Sequence, residues 1–213
     1  AISWMLWGIS QNPFLKSVMA FKGGTCLKKV YFESYRYSED LDFTLCNDTV
    51  PDESILVNIN AVCQRIYLAT RMQFAVVADS FEVHESTKSI KFRVEYKGPH
   101  GGTDSIKVDV TRGEKLVFEP EERPIFHPYS DTMEEFKMVV YSLKEVLVEK
   151  AVALMGRTVP RDLYDFHFLT AKEGLALKDV YIEFVTKAVH KGHNPKSFLE
   201  KVTAKEATYK RDW

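Results

Sequence analysis

Two alternating segments joined by a glycine-rich turn are the feature that most constrains the fold of this chain. The segments "SIKFRVEY" (89–96) and "SIKVDVT" (105–111) alternate apolar and polar residues, which is typical of strands with one buried face. Between them, "KGPHGGTD" (97–104) is rich in glycine, as a hairpin turn would be. "FEVHES" (81–86) is a third strand candidate. The sequence therefore predicts a sheet that contains an antiparallel hairpin.

The residues before this hairpin predict an alternation of helices and strands. We expect an amphipathic packing helix over 3–10, a short strand at "SVMAF" (17–21) and a short helix that begins at Thr25. The segment "DLDFTL" (40–45) resumes a strand, and apolar residues at helical spacing predict a helix from about residue 53 to 71. The predicted order is strand, glycine turn, helix, strand.

A proline-rich segment, "EPEERPIFHPYS" (119–130), predicts a boundary, because proline does not continue a regular element. After it we expect helices only. Ser142 and Glu145 have capping-box spacing, Pro160 suits a first helical turn, and Asn194 precedes a proline as a cap would. The predicted class is α+β, with a mixed β-sheet domain at 1–125 and a helical domain at 126–213.

Composition limits the classes of partner. The chain has 213 residues, 29 Lys and Arg against 30 Asp and Glu, and a net charge of −1, so a polyanion must be held by a local patch. Three cysteines without a C-x-x-C pair argue against a disulfide framework and a zinc site, and fit a reducing compartment. The uncharged first fifteen residues lack a basic leader and are interrupted at Asn12-Pro13. We therefore predict a cytoplasmic protein without a membrane role.

Two aspartates one residue apart, Asp40 and Asp42, fall on the polar face of the "DLDFTL" strand. Their parallel carboxylates repel each other unless a cation lies between them, and Mg²⁺ or Mn²⁺ takes such oxygen ligands. For the pair alone, the favoured alternative is two acids that face water at a sheet edge. The residues around the pair favour the metal site instead.

Gly23 and Gly24 precede a predicted helix, where glycines let the backbone approach a ligand and free N–H groups receive an anion. Asp109 adds a third acid on a neighbouring strand candidate. A glycine cradle, a carboxylate pair and a third carboxylate, as base or as metal ligand, are the parts that metal-assisted nucleotidyl transfer requires.

Charged residues also interrupt the helical half. Lys150 lies inside an apolar stripe. A lysine there either extends from the edge of the stripe or faces an anion, and the first interpretation is favoured when Lys150 is considered alone. The stripe predicts that methionine at this position would keep the packing and the stability. Asp162 and Asp165 stand three apart on one helix side, with Arg161 as their partner or as a phosphate ligand. The alternative interpretation is that these three residues form a structural salt bridge.

The ordered motifs "GGTCL" and "RYSEDLDF" resemble the AbiEii/AbiGii toxin family of the nucleotidyltransferase superfamily. The resemblance extends to "IKVDV" and to "VEKAVALMGRTVPRDLYDFHFL", and covers most of residues 18–170. It implies a nucleotidyltransferase-like core whose active site a helical C-terminal domain completes. It also implies a toxin of a type IV toxin–antitoxin or abortive-infection system, which uses a nucleoside triphosphate with Mg²⁺, has a cognate antitoxin, and in some members extends the 3′ end of tRNA.

The matched positions carry the residue roles that the resemblance implies. The predicted catalytic residues are Asp40, Asp42, Asp109, Lys150 and Asp165, of which the first three would hold the metal. The predicted nucleotide-binding residues are Gly23, Gly24, Thr25, Arg36, Ser38, Lys150, Arg161 and Asp162. Ser38 has the alternative function of starting the strand through a local backbone bond. Two other functions stay open: a small-molecule nucleotidyltransferase of the antibiotic-modifying kind, and a nucleotide-binding or antitoxin-binding module without turnover.

Overall fold

The computed structural model describes residues 1–98, 101–128 and 133–212 of the chain. The chain forms two compact units, Ala1–Glu114 with Pro120–Val140 and Lys115–Glu119 with Tyr141–Trp213. These limits differ from the predicted boundary at 125/126, because strands on both sides of that boundary belong to the first unit. Each unit is described separately below.

One mixed sheet organises the first unit, and within the described residues it contains eight strands. Their order across the sheet is β3-β5-β6-β2-β1-β8-β7, with β4 also paired to β5. The β2–β6 and β1–β8 pairs are parallel, and the other pairs are antiparallel. The strands are β1 Met19–Lys22, β2 Leu41–Leu45, β3 Phe74–Val76, β4 Glu82–Val83, β5 Ile90–Lys97, β6 Thr103–Thr111, β7 Glu121–Pro124 and β8 Lys137–Val140.

The predicted hairpin is confirmed, since β5 and β6 pair antiparallel from Ile90 opposite Val110 to Lys97 opposite Thr103. Two residues of its predicted turn, 99 and 100, lie outside the described residues. The "FEVHES" strand is confirmed only as the two-residue β4, and sequence analysis missed β3. The sheet is thus wider than its alternating segments indicate.

The helices of the first unit follow the sequence closely, with two corrections. They are α1 Ile2–Ser10, α2 Pro13–Val18, α3 Gly23–Cys26, which continues as a π turn over Leu27–Tyr31, and α4 Asp52–Thr70. The predicted strand at 17–21 was wrong in its first half, because Asn12 caps α2 by accepting the N–H of Leu15. The helix predicted to begin at Thr25 begins two residues earlier, at Gly23.

The first helix packs as predicted. Met5, Leu6 and Ile9 of α1 are fully buried in the core of the first unit. Gly8 lies so close to α4 that an added Cβ would be 2.6 Å from a methyl group of Val62, which explains the small residue at this crossing. In the parts of the chain that the structure describes, no helix is both long and apolar enough to cross a membrane.

The second unit is helical, and the three predicted helix starts at Ser142, Pro160 and Asn194 are confirmed. The expectation of helices only after residue 130 was wrong, because β8 forms, and β7 lies within the proline-rich segment itself. As the edge strand, β7 tolerates Pro124, since proline there costs no inner hydrogen bond. The helices are α5 Leu143–Gly156, α6 Pro160–His167, which continues as a π turn over Phe168–Lys172, α7 Tyr181–His190, α8 Phe198–Thr203 and α9 Glu206–Asp212.

Candidate active site

Four charged residues form a line across four adjacent strands of the first unit. Lys22 on β1 lies opposite Asp42 on β2, Asp42 lies beside Asp109 on β6, and Asp109 lies opposite Lys91 on β5. Register partners project from the same face of a sheet, so the four side chains share one face. We call Lys22, Asp42, Asp109 and Lys91 the charged row.

The next line of residues explains why acids occur in such an apolar sheet. Phe21, Phe43, Val110 and Ile90 are register partners one position further along the same strands, and all four are fully buried. Alternation places them on the face opposite the charged row. The strands therefore keep one dry face while the other carries carboxylates, and the side chain of Asp109 remains 20% exposed.

Both lysines of the charged row contact acids. The Nζ of Lys91 lies 3.4 Å from Oδ2 of Asp109. The Nζ of Lys22 lies 3.9 Å from Oε1 of Glu114, and both of these side chains are more than nine-tenths buried. Neither lysine was predicted from the sequence as a site residue, although the hairpin register places Lys91 opposite Asp109.

Asp40 does not lie in the strand in which the sequence placed it. It is half-buried and immediately precedes β2, so of the D-x-D pair only Asp42 belongs to the strand. Within the residues described here, no three Asp, Glu, His or Cys side chains are grouped as a metal site. The adjacent carboxylates of Asp42 and Asp109 are nevertheless the hard oxygen donors that Mg²⁺ and Mn²⁺ prefer. Their role as metal ligands, with Asp40, stays a prediction.

Gly23 sits directly against the carboxylate of Asp42. It has a φ of +79°, a backbone conformation that favours glycine, and an added Cβ would overlap Oδ2 of Asp42 and lie 3.1 Å from its Cβ. The glycine turn and the first carboxylate of the charged row are thus neighbours in space. Both the dihedral angle and the contact require glycine at this position.

The other predicted residues of the glycine turn also lie together. An added Cβ at Gly24 would be 2.5 Å from a guanidinium nitrogen of Arg36 and 3.0 Å from Oγ of Ser38. Thr25 donates a hydrogen bond from Oγ1 to Oγ of Ser38 at 2.9 Å. The structure therefore brings Thr25, Arg36 and Ser38 to the two glycines, while their binding of a nucleotide stays a prediction.

Replacing Gly23 by alanine should damage the site more than the fold. We expect the loss of about 1 to 2 kcal/mol of unfolding free energy from the left-handed φ, together with displacement of the Asp42 carboxylate. Gly113→Ala is the matched control, because Gly113 has a φ of +66° with open space around it. Chemical unfolding and nucleotide transfer, measured on both variants, should separate the shared stability cost from a loss of transfer specific to Gly23→Ala. Equal transfer by the two variants would contradict this account.

Three of the other predicted residues, Lys150, Asp162 and Asp165, form a buried ion cluster in the second unit. The Nζ of Lys150 lies 2.8 Å from Oδ1 of Asp162 and 2.8 Å from Oδ2 of Asp165. All three side chains are more than nine-tenths buried. Arg157 also donates to Asp162, from Nε to Oδ2 at 2.7 Å, whereas the proposed partner Arg161 is exposed. The lysine in the apolar stripe thus bridges α5 and α6 rather than extending to solvent.

The charges of this cluster stabilise one another. Burial favours the neutral lysine, but the two carboxylates outweigh it and raise the pKa of Lys150. Burial likewise opposes the ionised form of Asp162, but Lys150 and Arg157 outweigh it and lower the pKa of that carboxyl. The sequence predicted that methionine at position 150 keeps the stability, but the contacts of Lys150 with two buried acids lead us to expect a loss of stability instead.

A second buried pair in this unit was missed from the sequence. Lys187 lies 2.5 Å from Oε1 of Glu145, and each side chain is 1% exposed. The other oxygen of Glu145 accepts the N–H groups of Val117 and Phe118 at 3.0 and 2.8 Å. Glu145 thus fixes residues 115–119 to α5, besides its place near the Ser142 cap. The sequence does carry a signal for this pair. Lys187 follows the buried Phe184 at helical spacing and so lies on the same helix face, as Lys150 lies within its own apolar stripe.

The fold of this chain is similar to that of a solved nucleotidyltransferase toxin. A solved structure, MenT4, a nucleotidyltransferase toxin from Mycobacterium tuberculosis H37Rv, matches with a TM-score of 0.53 at 21% identity, over 76% of this chain and 53% of that chain. This likeness supports the fold alone, and this chain spans about half the length of that neighbour. A comparison with curated proteins finds no match.

The family itself is established from the sequence match. Residues 4–213 match the family described as nucleotidyl transferase AbiEii toxin, type IV toxin–antitoxin system. The chain belongs to this family, which confirms the resemblance in the motifs and extends it beyond residue 170 to the end of the chain.

Proposed function

We propose that this protein is a toxin that transfers a nucleotide from a nucleoside triphosphate to a hydroxyl of an RNA acceptor, such as the 3′ end of a tRNA. The observation that carries the proposal is the contact of Gly23 with Asp42, beside Asp109. This arrangement sets a turn suited to phosphates against the carboxylates suited to a metal. Membership in the AbiEii family supports the same activity.

The proposed reaction is an attack of the acceptor hydroxyl on the α-phosphorus of the triphosphate. A new P–O bond forms, the bond to the β-phosphate breaks, pyrophosphate leaves, and the hydroxyl proton passes to a carboxylate of the charged row. Asp40, Asp42 and Asp109 would hold Mg²⁺ or Mn²⁺, which neutralises phosphate charge when bound. Arg36, next to Gly24, would hold a phosphate through its guanidinium.

The residues of the second unit enter this proposal on the family resemblance. In the segment "VEKAVALMGRTVPRDLYDFHFL", Lys150 stands at the position of the family's helix lysine, and Asp165 is the last acid of "RDLYD". We retain both as proposed catalytic residues. Asp162 and Arg161 are kept as proposed nucleotide-binding residues. The ion cluster gives Lys150, Asp162 and Asp165 a structural role as well, so a loss of activity on substitution must be read beside stability.

We further propose a cytoplasmic protein with a cognate antitoxin and without a membrane partner. Family membership supports the antitoxin, since the family is part of type IV toxin–antitoxin systems. Cys26, Cys46 and Cys63 form no disulfide among the residues that the structure describes, which is compatible with a reducing compartment.

The acceptor is tested by incubating the protein with each of four labelled nucleoside triphosphates, Mg²⁺, and either total tRNA or a panel of aminoglycosides. We expect label in the tRNA, and its loss when periodate has oxidised the 3′ ends beforehand. Label in an aminoglycoside would instead favour the small-molecule alternative. Binding of a triphosphate without transfer to any acceptor would favour the module without turnover.

A further inference from the structure

The two lysines at the ends of the charged row differ in their surroundings. Lys22 is buried and its ammonium lies near Glu114. The side chain of Lys91 is 42% exposed, and its ammonium lies 3.4 Å from Oδ2 of Asp109. Its strand, β5, lies on the side of β6 away from β2. Asp109 is therefore already paired with a cation that belongs to the protein.

An ammonium and a divalent cation compete for the same carboxylate. A charge of +1 within a few ångströms of a bound divalent ion repels it, by an amount that depends on the local screening. A half-exposed ion pair of this kind is weak, and lysine has a flexible stem that lets its ammonium move away. The Lys91–Asp109 pair can thus form without an ion and break when one binds.

We propose that Lys91 is a positioning residue that occupies Asp109 until a divalent cation binds, so that cation binding is coupled to release of Lys91. In the absence of a cation, Lys91 offsets the repulsion between Asp109 and Asp42. Once the cation binds, it takes over that role at both carboxylates. The proposal rests on the proposed function, because it requires the cation to bind at Asp109.

The test is calorimetric titration of Mn²⁺, as the probe ion, into the full chain without nucleotide. Lys91→Met should bind Mn²⁺ roughly 3- to 10-fold more tightly than the parent protein, because the competing charge is gone. Lys97→Met is the matched control, since Lys97 lies on the same strand and face, about 20 Å from Lys91. It should leave the affinity unchanged, and Lys91→Arg, which keeps the charge, should stay close to the parent affinity.

Thermal melting provides a second readout of the same coupling. Lys91→Met should melt at a slightly lower temperature than the parent in EDTA and gain more from added Mn²⁺. If Mn²⁺ binds the parent through Asp42 but Lys91→Met binds it equally or more weakly, the inference is overturned and the proposed function stands. If none of these proteins binds Mn²⁺, both the inference and the metal-dependent mechanism are overturned.

Discussion

Asp42→Asn should lower nucleotidyl transfer by at least ~100-fold while the protein stays folded. Asp42 is the carboxylate that contacts Gly23 and lies beside Asp109. The amide of asparagine has a similar volume but no negative charge, so it would hold less tightly the divalent cation that neutralises the charge on the phosphate oxygens. Removal of one of two adjacent acids relieves repulsion, so the unfolding free energy should stay level or rise slightly.

The control for this variant is Asp79→Asn, which removes an exposed carboxylate from the same unit. Transfer is measured with labelled triphosphate at saturating Mg²⁺, and folding by circular dichroism and thermal melting. Asp79→Asn should retain the parent rate. A folded Asp42→Asn protein with undiminished transfer would remove the charged row from the active site.

Lys150→Met should destabilise the protein by about 3 to 5 kcal/mol, because it leaves two buried carboxylates without their shared cation. Asp162 keeps Arg157 as a partner, whereas the fully buried Asp165 loses its 2.8 Å contact with Lys150. The free energy of unfolding in urea measures the effect. Addition of Asp162→Asn and Asp165→Asn to Lys150→Met should recover part of the loss, since neutral side chains need no buried cation.

Lys144→Met is the control on the same helix, since Lys144 is exposed and its ammonium lies 6.0 Å from the ring of Phe118. Its unfolding free energy should stay within about 0.5 kcal/mol of the parent value. A Lys150→Met protein as stable as the parent would show that the ion cluster does not hold α5 to α6.

Local patterns in the sequence predicted most of the individual elements. The hairpin, α1, β2 and α4 follow directly from alternation and helical spacing, and the starts at Ser142, Pro160 and Asn194 follow from capping chemistry. The missed elements depend on distant partners. β7 and β8 are four-residue strands that pair with each other, and β8 also pairs with β1. Short segments with proline or little alternation show no local strand signal, so only the completed sheet reveals them.

The candidate site was predictable in composition but not in pairing. Spacing and the family motifs identified the glycines and acids, and the structure places Gly23 against Asp42 and Asp42 beside Asp109. The lysines of the charged row depend on the register between strands, which residue types alone do not fix. Lys150 shows the same limit, because its stripe indicated burial while its two partners lie 12 and 15 residues further along the chain.

The most direct test of nucleotidyl transfer follows the two ends of the triphosphate separately. The protein is incubated with tRNA, Mg²⁺ and triphosphates labelled at either the α- or the γ-phosphorus, with Asp42→Asn in parallel. We expect the α label to enter the RNA and the γ label to appear in pyrophosphate, and both products to fall by at least ~100-fold with Asp42→Asn. Transfer of the γ label to the RNA, or release of both labels without an acceptor, would contradict the proposed nucleotidyl transfer.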